Sequence, residues 1–394
     1  MSTETQNWTP KISLQRCTDL LCKTPGSPYE TEHKLIDGRI QRVYKNLPQS
    51  LRRFWLMVSQ VYADREYIVY DSPTSSSGDR MTYGQLAYHA QIAASVFRKT
   101  YKVRKGDRVG IVSRNNPEWI VAWWACQLLG AVAVAINAWL PAHGNPSPLK
   151  HCIQHTQCKL LILDAERAEK LQHWICEMSA GFDNKLNGVL VIRHQEVDQR
   201  ELRKDIWKSM HKWDQVMGDY KGTPEEWKKE PECLPEEPCS IFFTSGTTGL
   251  PKGVLNSHRG FLTNIPNSTF NRARHNLRIG EPLPKTGPQA PQAVNLIANP
   301  LFHVMGTTSF VVVGSAGGSK LVLMRKWDKV AAARLVEREK VTGLLGVPYM
   351  ILDLDDDGMS ESSRKPIVGV AFGGAPAPSS MLADLKKKFP GALM

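Results

Sequence analysis

The chain has 394 residues, 42% of them apolar and 22% charged, with a formal net charge of +12. That length exceeds one small domain and can bury a large core, and the composition excludes wholesale disorder. Lysines and arginines are interleaved with acids along the chain, which argues against a nucleic-acid partner and suits a general affinity for anionic substrates.

Residues 1–6 carry no basic start and no apolar run, so no secretory signal is expected. The expected location is cytoplasmic, with a peroxisomal or membrane-peripheral one left open. Residues 1–50 are polar and punctuated by proline, and read as an irregular arm. An alternation of short apolar runs and helical patterns then begins. Strands are expected at residues 66–71, 107–113, 131–136, 159–164 and 188–193. Helices are expected at 82–98, where Thr82 and Gln85 form a capping box, and at 117–129, 148–155 and 165–178. Residues 218–239, rich in Pro, Glu and Lys, read as a linker or surface loop between an α/β subdomain at 51–217 and a second at 240–394. In the latter, strands are expected at 240–244, 294–298, 320–324, 341–346 and 368–372, and residues 265–292 read as a long excursion without periodicity. Strands separated by helices of ordinary length predict an α/β fold of layered parallel sheets flanked by helices.

The apolar stretch 119–136 is long enough to span a membrane, yet an Asn-Pro-Glu start and Gly130 divide it into a buried helix and a buried strand. Residues 309–324 divide similarly into helix, turn and strand, so no transmembrane segment is expected. The eight cysteines are scattered, and Cys17 and Cys22 have no matching second pair. They predict reduced, mostly buried thiols and no metal-ligand set.

The most informative segment is SIFFTSGTTGLPKGVLNSHRG, residues 240–260. An apolar strand enters Thr244, Ser245, Gly246, Thr247, Thr248 and Gly249, followed by Pro251, Lys252 and Gly253. Glycines let backbone N–H groups converge on an anion, hydroxyls add donors, and Lys252 adds a full charge. A flexible Ser/Thr/Gly loop would explain the composition but neither the entering strand nor the Pro-Lys-Gly. A Walker loop does not fit, because Pro251 and Gly253 stand where that pattern needs Gly and Ser or Thr.

TSGTTGLPKGV with the following His258 resembles the signature of the AMP-binding, adenylate-forming superfamily: acyl-CoA synthetases, 4-coumarate–CoA ligases, luciferases and peptide-synthetase adenylation domains. Residues 107–141, NPLFHVMG at 299–306 and VAFGGAPAP at 370–378 are similar to further segments of that family, so the resemblance covers roughly residues 60–394. It implies ATP-dependent activation of a carboxylic acid, of the fatty class first, to an acyl-adenylate and then an acyl-CoA, with ATP, Mg2+ and CoA as participants. Thr244, Ser245, Gly246, Thr247, Thr248, Gly249 and Lys252 would hold the phosphates. His303 would lie beside the reacting carboxylate, although by itself it reads as a core histidine. Gly373, Gly374, Ala375 and Pro376 would form the adenine and acyl side, and Met305, Gly306 and Val347 the acyl pocket.

The family's later motifs, Gly-Tyr-Gly-x-Thr-Glu, the Arg-Thr-Gly-Asp segment and the C-terminal domain with its lysine, do not occur in these 394 residues. Two readings follow: an acid–CoA ligase seen in part, inactive as this chain alone, or a truncated non-catalytic paralogue that binds nucleotide weakly. Oligomeric state is not legible in the sequence.

Overall fold

The computed structural model describes residues 9–72, 78–144, 146–181, 186–196, 209–244, 249–283, 287–354 and 359–393. The arm holds helix α1 (Leu14–Lys23) and a hairpin of β1 (Thr31–Ile36) and β2 (Arg39–Tyr44). Asp37 and Gly38 close that hairpin with φ of 47° and 74°, the left-handed pair that suits the twist of two strands. The expected irregular arm is thus corrected. Its ribbon is mostly exposed, with Leu35 and Ile40 facing solvent, so no buried alternation marks it in the sequence.

Helix α2 (Leu51–Val61), strands β3 (Glu66–Tyr70) and β4 (Asp79–Thr82) and helix α3 (Tyr83–Lys99) come next. The Thr82–Gln85 capping box is present at the start of α3. There follow β5 (Arg108–Val112), α4 (Pro117–Leu129), β6 (Val132–Ala135), α5 (Pro148–His155), β7 (Leu160–Asp164), α6 (Ala165–Gly181), β8 (Gly188–Ile192), β9 (His211–Lys212) and α7 (Trp213–Gly218). The second half holds β10 (Pro238–Thr244), β11 (Lys252–Ser257), α8 (His258–Leu262), α9 (Asn264–Ile279), β12 (Val294–Ile297), a π-helix (Gly306–Gly314) and β13 (Lys320–Leu323). The last elements are α10 (Lys329–Glu339), β14 (Gly343–Gly346), α11 (Pro348–Asp353), α12 (Glu361–Arg364), β15 (Gly369–Phe372) and α13 (Met381–Lys388).

The strands form two large sheets besides the hairpin. One runs β11-β10-β6-β5-β7-β8-β9, antiparallel only at β10–β11, and the other β15-β14-β12-β13-β3-β4, antiparallel only at β3–β4. Side chains alternate across each strand and assign the layers. Val109 and Ile111 of one sheet share a core cluster with Ile68 and Tyr70 of the other, together with α2, α3 and α4. Val112 faces a second cluster with α5 and α6, and Val69 a third with α10 and α13. Helices α2–α4 therefore lie between the two sheets, and further helices cover both outer faces.

This placement explains the membrane-like stretch. Helix α4 is buried on every side, with Trp119, Trp123 and Trp124 all fully enclosed, so apolar residues run round it, broken only by Glu118 and by Gln127, whose amide bonds the Cys239 carbonyl. Asn116 caps its start and Gly130, at φ 72°, ends it. Among the described residues no helix is long and apolar enough to cross a membrane. The seven described cysteine thiols are free.

Two further expectations are corrected. Residues 264–279 are helical where no periodicity was read, because α9 buries only Pro266 and Ala273 and so carries few apolar marks. Strand β11 was not anticipated, since an exposed edge strand shows no buried alternation. The segment at 218–239 carries buried Trp227 and Cys233, and Arg98 binds both Glu226 and Glu230.

Candidate active site

Strand β10 is built from Ser240-Ile241-Phe242-Phe243-Thr244, β-branched and aromatic residues that suit a half-buried sheet position. It pairs in parallel with β6 and in antiparallel with β11, so the phosphate-type loop is the connection of a hairpin. Thr244 faces Lys252 across that hairpin, and the Thr244 hydroxyl donates to the Lys252 carbonyl at 3.4 Å. A Cβ on Gly253 would stand 2.9 Å from Ile241 Cγ2, so a larger residue there would have to displace that side chain. Gly249 has φ 132°, open to glycine. Lys252 is exposed, and among the described residues its ammonium pairs with no carboxylate. Ser245, Gly246, Thr247 and Thr248 lie outside the described residues.

A cleft of about 390 Å³ opens at the carboxyl ends of these strands, where ligands of open parallel sheets bind. Phe242, Phe243, Thr244 and Pro251 form one wall, Asn137 and Leu140 after β6 another, and Phe302, His303 and Val304 the third. The last wall comes from the other sheet, from the turn that follows β12. Thr244 and His303 are thus brought to one cavity from residues far apart in sequence.

Buried hydrogen bonds fix that turn. The Asn115 side chain, in the turn after β5, donates to the Asn299 carbonyl at 2.9 Å and accepts the Leu301 N–H at 2.8 Å. The Thr307 hydroxyl donates to the Leu301 carbonyl. Gly306 lies so close to the turn that a Cβ would stand 2.2 Å from the Pro300 oxygen. The helix behind it is wound in the wider π form, a winding that often accompanies functional sites. His303 is exposed, and its Nδ1 accepts the Met305 N–H at 3.3 Å, which leaves the proton of a neutral imidazole on Nε2.

Gly373, Gly374, Ala375 and Pro376 follow β15, which runs parallel to β14, itself parallel to β12. They occupy the same rim of the six-stranded sheet as the His303 turn, two strand spacings or roughly 10 Å across. The Gly373 N–H donates to the Gly346 carbonyl, and Gly374, at φ 80°, lies beside Val347. These four residues do not line the cleft that holds Thr244 and His303. Met305 and Gly306 sit behind the turn rather than on the cleft wall. Sequence reasoning missed Asn115, Asn137 and Thr307; the Asn-rich turn before α4 was the visible signal for the first.

Similarity to known proteins decides the family. The AMP-binding enzyme model matches residues 57–394. The chain belongs to the AMP-binding enzyme family. It is similar to 4-coumarate–CoA ligase 1 of Oryza sativa subsp. japonica, 24% identical over 323 residues, covering 81% of this chain and 51% of that protein. It is also similar to 4-hydroxybutyrate–CoA ligase 2 of Metallosphaera sedula, 25% identical over 332 residues, covering 82% of this chain and 52% of that protein. The family member therefore spans about half the length of the curated relatives it matches. Among solved structures, the inhibitor-bound N-terminal domain of FACL13 from Mycobacterium tuberculosis superposes with a TM-score of 0.65 at 22% identity, over 86% of this chain and 74% of that one. The anthranilate CoA ligase AuaEII in complex with anthranoyl-AMP gives 0.65 at 19%, over 88% and 59%. These likenesses show that the layered α/β fold is the one seen in the N-terminal domain of FACL13 and in the anthranilate CoA ligase.

Proposed function

We propose that this AMP-binding family member activates a carboxylic acid with an apolar body, of the fatty class first, through an acyl-adenylate to an acyl-CoA. The observation that carries the reading is the cleft in which the phosphate-loop hairpin at Thr244 meets His303 from the other sheet. Its aromatic and aliphatic walls suit the body of such an acid, and its few polar groups converge where a carboxylate would sit.

The carboxylate oxygen attacks the α-phosphorus of ATP, the bond to the β-phosphate oxygen breaks, and pyrophosphate leaves. The CoA thiol then attacks the acyl carbonyl and AMP departs. Residues 244–249 offer donors to the β- and γ-phosphates, and the Lys252 ammonium, exposed and without a carboxylate partner among the described residues, opposes the charge that gathers on the leaving group. His303 donates from Nε2 to the acid and orients it. Gly373, Gly374, Ala375 and Pro376, without large side chains on their rim, let an adenine ring approach the backbone. Magnesium would enter with the nucleotide and neutralise phosphate charge.

The test is acid-dependent ATP–pyrophosphate exchange across fatty and aromatic acids, measured on the longest form of the protein that contains this sequence. Exchange that appears with one acid class and is followed by thioester formation with CoA supports the reading. Absence of exchange with every acid removes it.

A further inference from the structure

At the opposite end of β10 lies a second cleft, of about 580 Å³, lined by Gly106 before β5, Gly130 after α4, Cys233, Glu237 and His258. Six residues of strand, roughly 20 Å, separate it from the cleft at Thr244. Two fully buried side chains at this end have hydrogen-bonding atoms with no partner among the described residues. His258 is 1% exposed, and its Nδ1 accepts the Leu51 N–H at 3.1 Å, so the proton of the neutral ring sits on Nε2, which meets no acceptor. Arg52, the residue after Leu51, is 2% exposed and uses only Nη1, which donates to the Glu230 carbonyl. Its Nε and Nη2 meet no acceptor.

Those two nitrogens form one edge of the guanidinium, with parallel N–H bonds spaced for both oxygens of a carboxylate. The edge lies directly behind Gly130 of the cleft wall: a Cβ placed on Gly130 would stand 3.2 Å from Arg52 Nη2, 2.9 Å from Cys233 Sγ and 3.0 Å from Lys105 Cγ. The carboxylates nearby are already bound: Glu232, 4.0 Å from Arg52 Nη1, pairs with Arg53 at 2.9 Å. Glu230 accepts from Arg98 Nε at 2.9 Å and from the Lys105 N–H at 3.0 Å. Glu237 takes the Lys105 ammonium at 2.7 Å and the Leu234 N–H at 2.8 Å. The open atoms of Arg52 and His258 are all donors, and buried donors without acceptors are costly enough to be rare.

We propose that the cleft between Arg52, Gly130 and His258 is a binding site for a small carboxylate, held by the Nε/Nη2 edge of Arg52 and by His258 Nε2. The site is separate from the adenylation cleft, so its test needs no turnover.

The experiment titrates acetate into the chain carrying nitrogen-labelled histidine, at constant chloride-balanced ionic strength. The His258 Nε2 resonance is expected to shift and saturate at millimolar acetate or below. Arg52→Lys keeps the charge but not the two-donor edge, and is expected to weaken acetate at least tenfold. His258→Gln, which keeps a donor near Nε2, is expected to retain an acetate-dependent rise in Tm. A drift without saturation in the wild-type protein overturns the proposal, because buried water then suffices for these donors. So does saturation at unchanged acetate concentration in Arg52→Lys. Should that variant fail to fold, the wild-type titration decides alone.

Discussion

Lys252 stands at the mouth of the hairpin loop with its charge unspent on any described carboxylate. Removing it should leave the fold intact and lower adenylation. Lys252→Ala is expected to cost about 2–4 kcal/mol of transition-state stabilisation, tens to hundreds of fold in pyrophosphate exchange, with an unchanged melting temperature. Equal exchange rates in variant and parent would deny it the phosphate role. His258 makes a prediction about stability instead. Burial pushes its imidazole down to about 4, helped by Arg52 and Lys105 and opposed by Glu237. A folded value below the unfolded one of about 6.5 means the unfolded state takes up the proton first. The contribution is therefore complete above about pH 6.5 and is lost as the pH falls toward 4, to the extent of about 2–4 kcal/mol. Urea denaturation from pH 7 to pH 4 should show that loss, and His258→Gln should flatten it.

At the scale of elements, local sequence and local structure agree where caps and turns act. Thr82 and Gln85 begin α3 with a reciprocal pair of hydrogen bonds. Thr82→Ala should cost about 1 kcal/mol and leave activity unchanged, read by thermal denaturation beside an exchange assay. Gly306 behaves differently, because its constraint comes from the Pro300 oxygen of the turn in front of the π-helix. Gly306→Ala must push that turn outward and move His303 with it. A loss of about 1–3 kcal/mol is expected together with a clear fall in kcat. A variant as stable and active as the parent would show that the turn yields freely. Strands β5, β6 and β7 were legible because their faces are buried on both sides and their apolar runs are continuous. Strand β11 and helix α9 were not, because few of their side chains are fully buried.

Across the whole molecule, each sheet takes strands from both sides of the 218–239 segment. Strands β3 and β4 join the sheet of β12–β15, while β10 and β11 join that of β5–β9. One core cluster runs through α2–α4 to both sheets, with Trp55 stacked on Trp124 at 4.3 Å. Unfolding should therefore be cooperative, with tryptophan fluorescence and far-UV circular dichroism giving one midpoint. Two separated midpoints would show that the sheets melt independently. Asn115 belongs to this scale too, because it follows β5 of one sheet and holds the turn after β12 of the other. Asn115→Ala leaves a buried carbonyl and a buried N–H unpaired, and should cost about 2–4 kcal/mol by urea denaturation. It should also lower exchange, since the turn carries His303.

The sequence by itself determined the family, the α/β class and most strand and helix positions, because these rest on local properties: apolar period, caps and an ordered run of Thr, Ser, Gly, Pro and Lys. It also named Thr244, Lys252 and His303 as candidates through the resemblance. Tertiary structure alone decided that β10 and β11 form the hairpin carrying the loop, and that the turn after β12 crosses from the other sheet to face it. It alone placed Gly373–Pro376 on the His303 rim yet off that cleft's wall, and set Gly130 and His258 on the wall of a second one, with Arg52 behind Gly130. Strand order and side-chain meetings between distant segments depend on how layers stack, and no local pattern in the chain records them.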